Sequence, residues 1–102
     1  MKFRMERIDL EIKKSISTII SQMSDKRLSE AFITISDVKT SPDLYSSKIS
    51  ISFLDSSVEN KEVLKVLNDS KGYIKRELSG MIKIKRIPDI FFVEDKTEHN
   101  AD

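Results

Sequence analysis

Between Lys71 and Arg86 the chain places Lys71, Lys75, Arg76, Lys83, Lys85 and Arg86 against a single carboxylate, Glu77. Cations at that density suit phosphate binding, where the chemistry is charge neutralisation rather than bond breaking. An ordinary solvated face has the same look, so charge alone leaves the function open. Side chains that would support catalysis are poorly placed. His99, the one imidazole, lies in a polar stretch with no apolar neighbours to orient it as a base or ligand. Asp37 with Asp43, and Glu94 with Asp95, lack the spacing of a cation-binding loop and suit turns or a solvated surface. Ser41 and Ser79 have no histidine near them in sequence. Gly72 and Gly80 stand alone and make no phosphate-cradling loop. Without cysteine there is no thiolate nucleophile, zinc–thiolate site or disulfide framework. A hydrolase built on the scattered carboxylates is disfavoured, no metal or cofactor is expected, and a binding module is favoured over an enzyme.

The total charge conceals this pattern. Among 102 residues, 18 Lys+Arg face 17 Asp+Glu, a formal net charge of +1. By segment the balance is +2 over residues 1–30, −2 over 31–60, +4 over 61–90 and −3 over 91–102, so a basic region is offset by an acidic middle and tail. With 38% hydrophobic residues and balanced charge the chain is expected to fold around one modest core. The longest apolar run is Ile90 to Val93, and the first thirty residues are interrupted by acids. Neither a membrane span nor a secretory signal is expected, which is consistent with the cytoplasm.

These charges need elements to carry them. Met5, Ile8, Ile12, Ile16, Ile19 and Met23 recur every three or four residues, which predicts a helix. At about 100° per residue, Arg4, Arg7 and Lys14 fall on a flank of that stripe, with Glu11 among them. Ser24 to Lys26 is polar punctuation. Ala31 to Val38 then alternates and is rich in β-branched residues, predicting a strand with Phe32 and Thr34 opposite Ile33 and Ile35. Thr40 to Leu44 reads as a turn, and Lys48 to Phe53 as a second strand with Ile49, Ile51 and Phe53 on one face. The two are expected to pair antiparallel. After a polar connection from Asp55 to Asn60, helical spacing returns with Val63, Leu64, Leu67, Ile74, Leu78 and Met81, and Ile90 to Val93 forms a third strand beyond Pro88 and Asp89. Residues 1–95 are read as one domain, and Lys96 to Asp102, without apolar content beyond Ala101, as a short flexible tail.

Leu67, Lys71, Ile74 and Leu78 are spaced by four, three and four, so an unbroken helix would aim Lys71 into the core, at a prohibitive desolvation cost. Ser70-Lys71-Gly72 is therefore read as a tight joint that turns Lys71 outward. A helix starting near Gly72 would present free N–H groups beside Lys71, Lys75 and Arg76, a combination suited to phosphate. Gly72 equally suits the close packing of two helices.

Helix, strand, strand, helix, basic joint, helix and strand, in that order, resemble a type II KH domain, an α+β fold with a three-stranded sheet packed on helices that usually grips single-stranded nucleic acid through a Gly-x-x-Gly loop. That loop is missing here. Ser70-Lys71-Gly72 is similar to the Ala-x-Gly joint that replaces it in the ribosome-binding factor A family. Other stretches match that family in order. They are Arg4-Met5-Glu6-Arg7-Ile8, Ile33 to Val38, Ser41-Pro42-Asp43-Leu44, Ser47-Lys48-Ile49, Gly72 to Leu78, and Lys85 to Phe92. Asp25-Lys26-Arg27-Leu28 departs from the Asp-Pro-Arg-Leu common in the family, which loosens the turn.

The resemblance implies a non-enzymatic assembly factor, acting as a monomer, that binds the free 30S small ribosomal subunit and assists late maturation of the 5′ region of 16S rRNA. Its expected partners are that rRNA and neighbouring ribosomal proteins, with no membrane. The residues expected to hold phosphate are Lys71, Lys75 and Arg76, with Lys83, Lys85 and Arg86 alongside, Arg4 and Arg7 extending the surface, and Ser70 and Gly72 forming the joint. Most of the seven Phe and Tyr occupy core-like positions, Tyr45 and Tyr73 being exceptions, so recognition is expected to be of backbone and shape. The alternative is a protein-interaction module whose basic face meets an acidic protein partner.

Overall fold

A computed structural model describes residues 4–30, 32–54 and 60–95. In chain order the elements are α1 (Arg4–Ser21), α2 (Lys26–Glu30), β1 (Ile33–Thr40), β2 (Ser46–Phe53), α3 (Asn60–Asp69), α4 (Lys71–Ser79) and β3 (Asp89–Glu94). This is the expected α+β order, with one addition, the short α2. Ala31, most of the polar connection before α3, His99 and the tail expected from Lys96 lie outside the described residues.

The apolar stripe of α1 dictates its burial. Ile8, Ile12, Ile16 and Ile19 are buried, and Met23, which continues the spacing, packs on the same core from just beyond the helix end. The predicted polar punctuation is a helix start. Asp25 Oδ1 accepts the N–H of Arg27 at 2.8 Å, the side-chain capping contact that opens a helix, and the Arg27 side chain returns to the same carboxylate. Those hydrogen bonds from Arg27 hold the Asp25 carboxyl below its ordinary pKa.

The sheet has the order β1-β2-β3, with β1 antiparallel to β2 and β2 parallel to β3. A parallel connection requires a crossover, and α3 and α4 supply it. Ile35, Val38, Ile49, Ile51, Ile90 and Phe92 meet the buried residues of α1, α3 and α4 in one core. Simple alternation fails within β1. A bulge between Ile35 and Asp37 leaves Ser36 unmatched, so the inward residues run Ile33, Ile35, then Val38 and Thr40. Phe32, expected in the strand, precedes it and is exposed. The turn before β2 is held by Asp43 Oδ1, which accepts from the Ser41 hydroxyl at 2.7 Å and the Tyr45 N–H at 3.0 Å. Leu44 beside it has φ 65°, a left-handed conformation unusual for leucine, and is compensated by burial of its side chain.

Asn68 of α3 ties helix to sheet. Its amide nitrogen donates to Phe92 O at 3.1 Å and its oxygen accepts the Phe92 N–H at 3.0 Å, so the side chain occupies the place of a fourth strand on β3.

The break between α3 and α4 falls where expected, and Lys71 is exposed. The residue that makes it is Ser70, with φ −96° and ψ 5°, and not Gly72. Gly72 lies inside α4 with a negative φ, and a Cβ added there would meet no atom within 4 Å. Neither the joint nor helix packing requires glycine at that position. Met81, expected to continue the core stripe, is exposed because α4 ends at Ser79, and Ile82 takes the buried place.

Candidate nucleic-acid interface

The packing of α1 against α4 brings the start of α1 beside the segment that follows α4. Arg4 and Arg7 from α1 and Lys83 and Lys85 from the segment surround an open cleft of about 720 Å³. Its apolar lining is Ile8, Met81, Ile82 and Ile84, and Glu11 is its one carboxylate. Ile8 and Ile82 are buried, so core packing fixes the backbone that carries the four cations. Two stretches more than seventy residues apart in sequence thus form one basic surface.

Lys71, Lys75 and Arg86 form a second group, around Asp89 at the start of β3. Lys75 Nζ donates to Asp89 Oδ1 at 2.8 Å. That hydrogen bond and the Lys75 charge, with smaller contributions from Arg86 and Lys71, hold the Asp89 carboxyl below its ordinary pKa. Each of the other two cations also lies over an aromatic ring. Lys71 Nζ is 5.1 Å from the centroid of Phe91, and Arg86 Cζ is 3.9 Å from that of Tyr45. Asp43, in its turn, is held low by the Ser41 hydroxyl, the Tyr45 N–H and, less strongly, Arg86. Arg76 is exposed on the side of α4 away from buried Ile74 and Leu78. Ser70 stands at the head of α4 without a side-chain capping bond, and exposed Gly72 leaves the backbone of the first turn uncovered.

The ten residues expected at a phosphate-binding surface therefore divide. Arg4, Arg7, Lys83 and Lys85 share the cleft, Lys71, Lys75 and Arg86 share the Asp89 cluster, and Ser70, Gly72 and Arg76 lie on α4 or at its head. Sequence spacing gave no sign of Asp89 as the partner of Lys75, since that bond depends on how β3 docks beside α4. The expectation that most aromatic residues are core residues also needs correction. Phe92 is buried and Phe53 half-buried, but Phe32, Tyr45, Tyr73 and Phe91 are exposed. Ile90-Phe91-Phe92-Val93 is continuously apolar, and strand alternation sends Phe91 to the solvent side.

Among the described residues no group of three or more His, Cys, Asp or Glu is arranged to hold a metal ion, and no helix is long and apolar enough to cross a membrane. What this arrangement can do is bind polyanions.

Comparison with known proteins agrees in sequence and in fold. The family model for ribosome-binding factor A matches residues 4–102. A ribosome-binding factor A of Clostridium perfringens is 38% identical over 101 residues, covering 97% of this chain and 86% of its own length. The solution NMR structure of a Thermotoga maritima protein assigned to the same family superposes with a TM-score of 0.81 at 31% identity, over 94% of this chain and 91% of that one. A Thermus thermophilus ribosome-binding factor A, fitted as a homology model into a cryo-EM map of its complex with the 30S subunit, shares the fold, with a TM-score of 0.70 at 18% identity over 86% of this chain and 91% of that one. By sequence and by fold, the chain belongs to the ribosome-binding factor A family.

Proposed function

We propose that this protein binds the small ribosomal subunit through the basic cleft between α1 and residues 81–85, continued over α4 to Lys71, Lys75 and Arg86. In doing so it assists late maturation of the 5′ region of 16S rRNA without catalysing a reaction, as a monomer in the cytoplasm. The observation that carries this reading is the convergence of Arg4, Arg7, Lys83 and Lys85 on one cleft with a single carboxylate. Cations carried on a rigid backbone neutralise phosphates with only their side chains left to order, and they read RNA by shape more than by base sequence. The Thermus relative placed in a 30S complex supports the same partner.

Sucrose-gradient sedimentation of a lysate tests it. The parent protein is expected with free 30S subunits and not with full ribosomes, and the double variant Arg7→Ala, Lys83→Ala is expected at the top of the gradient. With purified subunits the variant's log–log salt dependence should flatten by about 0.7 to 0.9 for each phosphate it no longer neutralises. Sedimentation that survives the substitutions, or an association that persists after ribonuclease treatment, would contradict the proposal, and the latter would favour a protein partner.

A further inference from the structure

The helices α1, α3 and α4 all pack on the inner face of the sheet, and no described element covers the outer one. Along that outer face the register sets Lys39 of β1, Lys48 of β2 and Phe91 of β3 in a single row. Two ammonium groups placed directly opposite each other disfavour strand pairing. Neither lysine enters an ion pair with a carboxylate among the described residues. Phe91 is 45% exposed, and Lys71 Nζ lies over its ring, 5.1 Å from the centroid, so a third cation accompanies the same aromatic group. On the central strand the residues after Lys48 on this face, Ser50 and Ser52, are buried, and the Ser36 hydroxyl donates to Asp95 there, so the open part of the face is the row of Lys39, Lys48 and Phe91.

We infer that this outer face is a contact for single-stranded RNA, with an unpaired base stacked on Phe91 and the adjoining phosphates held by Lys39 and Lys48. An exposed ring flanked by lysines has the two components of a single-strand platform, a π-surface for a base and cations for the backbone. An acidic peptide would satisfy the lysines and leave the ring in water, whereas a nucleotide engages both. The nearby carboxylates lie around this row and not in it. Asp89 is bound by Lys75, and Asp9, along the groove beside Lys39 and Lys48, accepts the Thr40 N–H at 3.0 Å. Asp9 and Glu6 border the groove, and Asp37 and Asp95 lie further along the face, Asp95 accepting the Ser36 hydroxyl, so the cations form a local row and not a net charge of the whole face. This surface is separate from the α1 cleft and does not depend on it.

Fluorescence anisotropy with a labelled single-stranded ribo-oligonucleotide of mixed sequence tests the inference, with amide NMR shifts of the parent protein as a second readout. Phe91→Leu, which keeps an apolar residue but removes the ring, is expected to weaken binding about tenfold, while Phe91→Trp retains it. Lys39→Ala with Lys48→Ala is expected to weaken binding and flatten the log–log salt dependence by about 0.7 for each phosphate left without its lysine. The amides of Lys48 to Ser52 and Ile90 to Val93 are expected to shift on titration. If folded Phe91→Leu binds like the parent and those amides stay in place, the inference is overturned. It falls in that case even where Arg7→Ala, Lys83→Ala abolishes binding and the cleft reading stands. A poly-glutamate peptide that binds with the same dependence on the ring would overturn it in favour of a protein ligand. Should Phe91→Leu fail to fold, unchanged affinity and salt slope in the double lysine variant would overturn it equally.

Discussion

Lys75 of α4 donates to the carboxylate of Asp89, the first residue of β3, across 2.8 Å. The bond fastens the helix after the joint to the strand that follows the basic 81–88 segment. It also occupies one of the cations that sequence inspection assigns to phosphate. Polyanion binding at this site, as proposed, would compete with the ion pair for the same ammonium group. Asp89→Asn is expected to tighten binding of single-stranded RNA by a few-fold and steepen its salt dependence, because Lys75, Lys71 and Arg86 lose a nearby negative charge. Anisotropy titrations at several salt concentrations check this, and weaker binding in the variant would contradict it.

Acid should act on the same ion pair. Asp89, with Asp43 and Asp25, has its carboxyl held below the ordinary aspartate pKa of about 3.9 by hydrogen bonds and neighbouring cations. A carboxylate with a lowered folded-state pKa contributes its stability above the unfolded value and loses it as pH falls through the folded value. Urea denaturation is expected to show a smaller loss of stability for Asp89→Asn than for the parent as pH drops from neutral to below that range. Equal losses would show that the ion pair adds nothing to folding.

Gly72→Ala separates folding from function. Alanine is the better helix former and has open space around its Cβ here, so the substitution is expected to stabilise the protein by up to about 1 kcal/mol and raise Tm by a few degrees. If the bare first turn of α4 is there for close approach of an RNA backbone, the same variant binds RNA more weakly. Calorimetry alongside anisotropy reads both effects, and a stabilised variant with undiminished binding would remove that role from Gly72.

Asn68 is expected to be irreplaceable by its nearest relatives. Asn68→Ala deletes two hydrogen bonds to the backbone of Phe92 and should cost about 2 kcal/mol. Asn68→Asp should not rescue it, because a carboxylate accepts the Phe92 N–H but repels the Phe92 carbonyl. Chemical denaturation of both variants checks this.

The α+β order was legible because its signals are periodic and local. The isoleucines of α1 mark a helix, Lys48 to Phe53 alternates as a strand, and the misfit of Lys71 in an apolar stripe locates the joint. What escaped depends on tertiary placement or single-residue geometry. Ser36 shifts the alternation by one residue without any compositional sign, and Asp25 opens a one-turn helix where the residues read as a turn. Gly72 invited a conformational explanation that its backbone does not need. The basic residues were visible along the chain, but their division between the α1 cleft and the Asp89 cluster follows from the crossover that brings β3 beside β2.

The amide of Asn68 has a consequence beyond stability. A three-stranded sheet whose outer face no described element covers has two margins at which a strand from another molecule can add. Asn68 satisfies both backbone groups of Phe92 on the β3 margin, and the Ser36 bulge interrupts the regular ladder on the β1 margin. Neither margin therefore gives a neighbouring copy a continuous ladder of free backbone groups on which to add a strand.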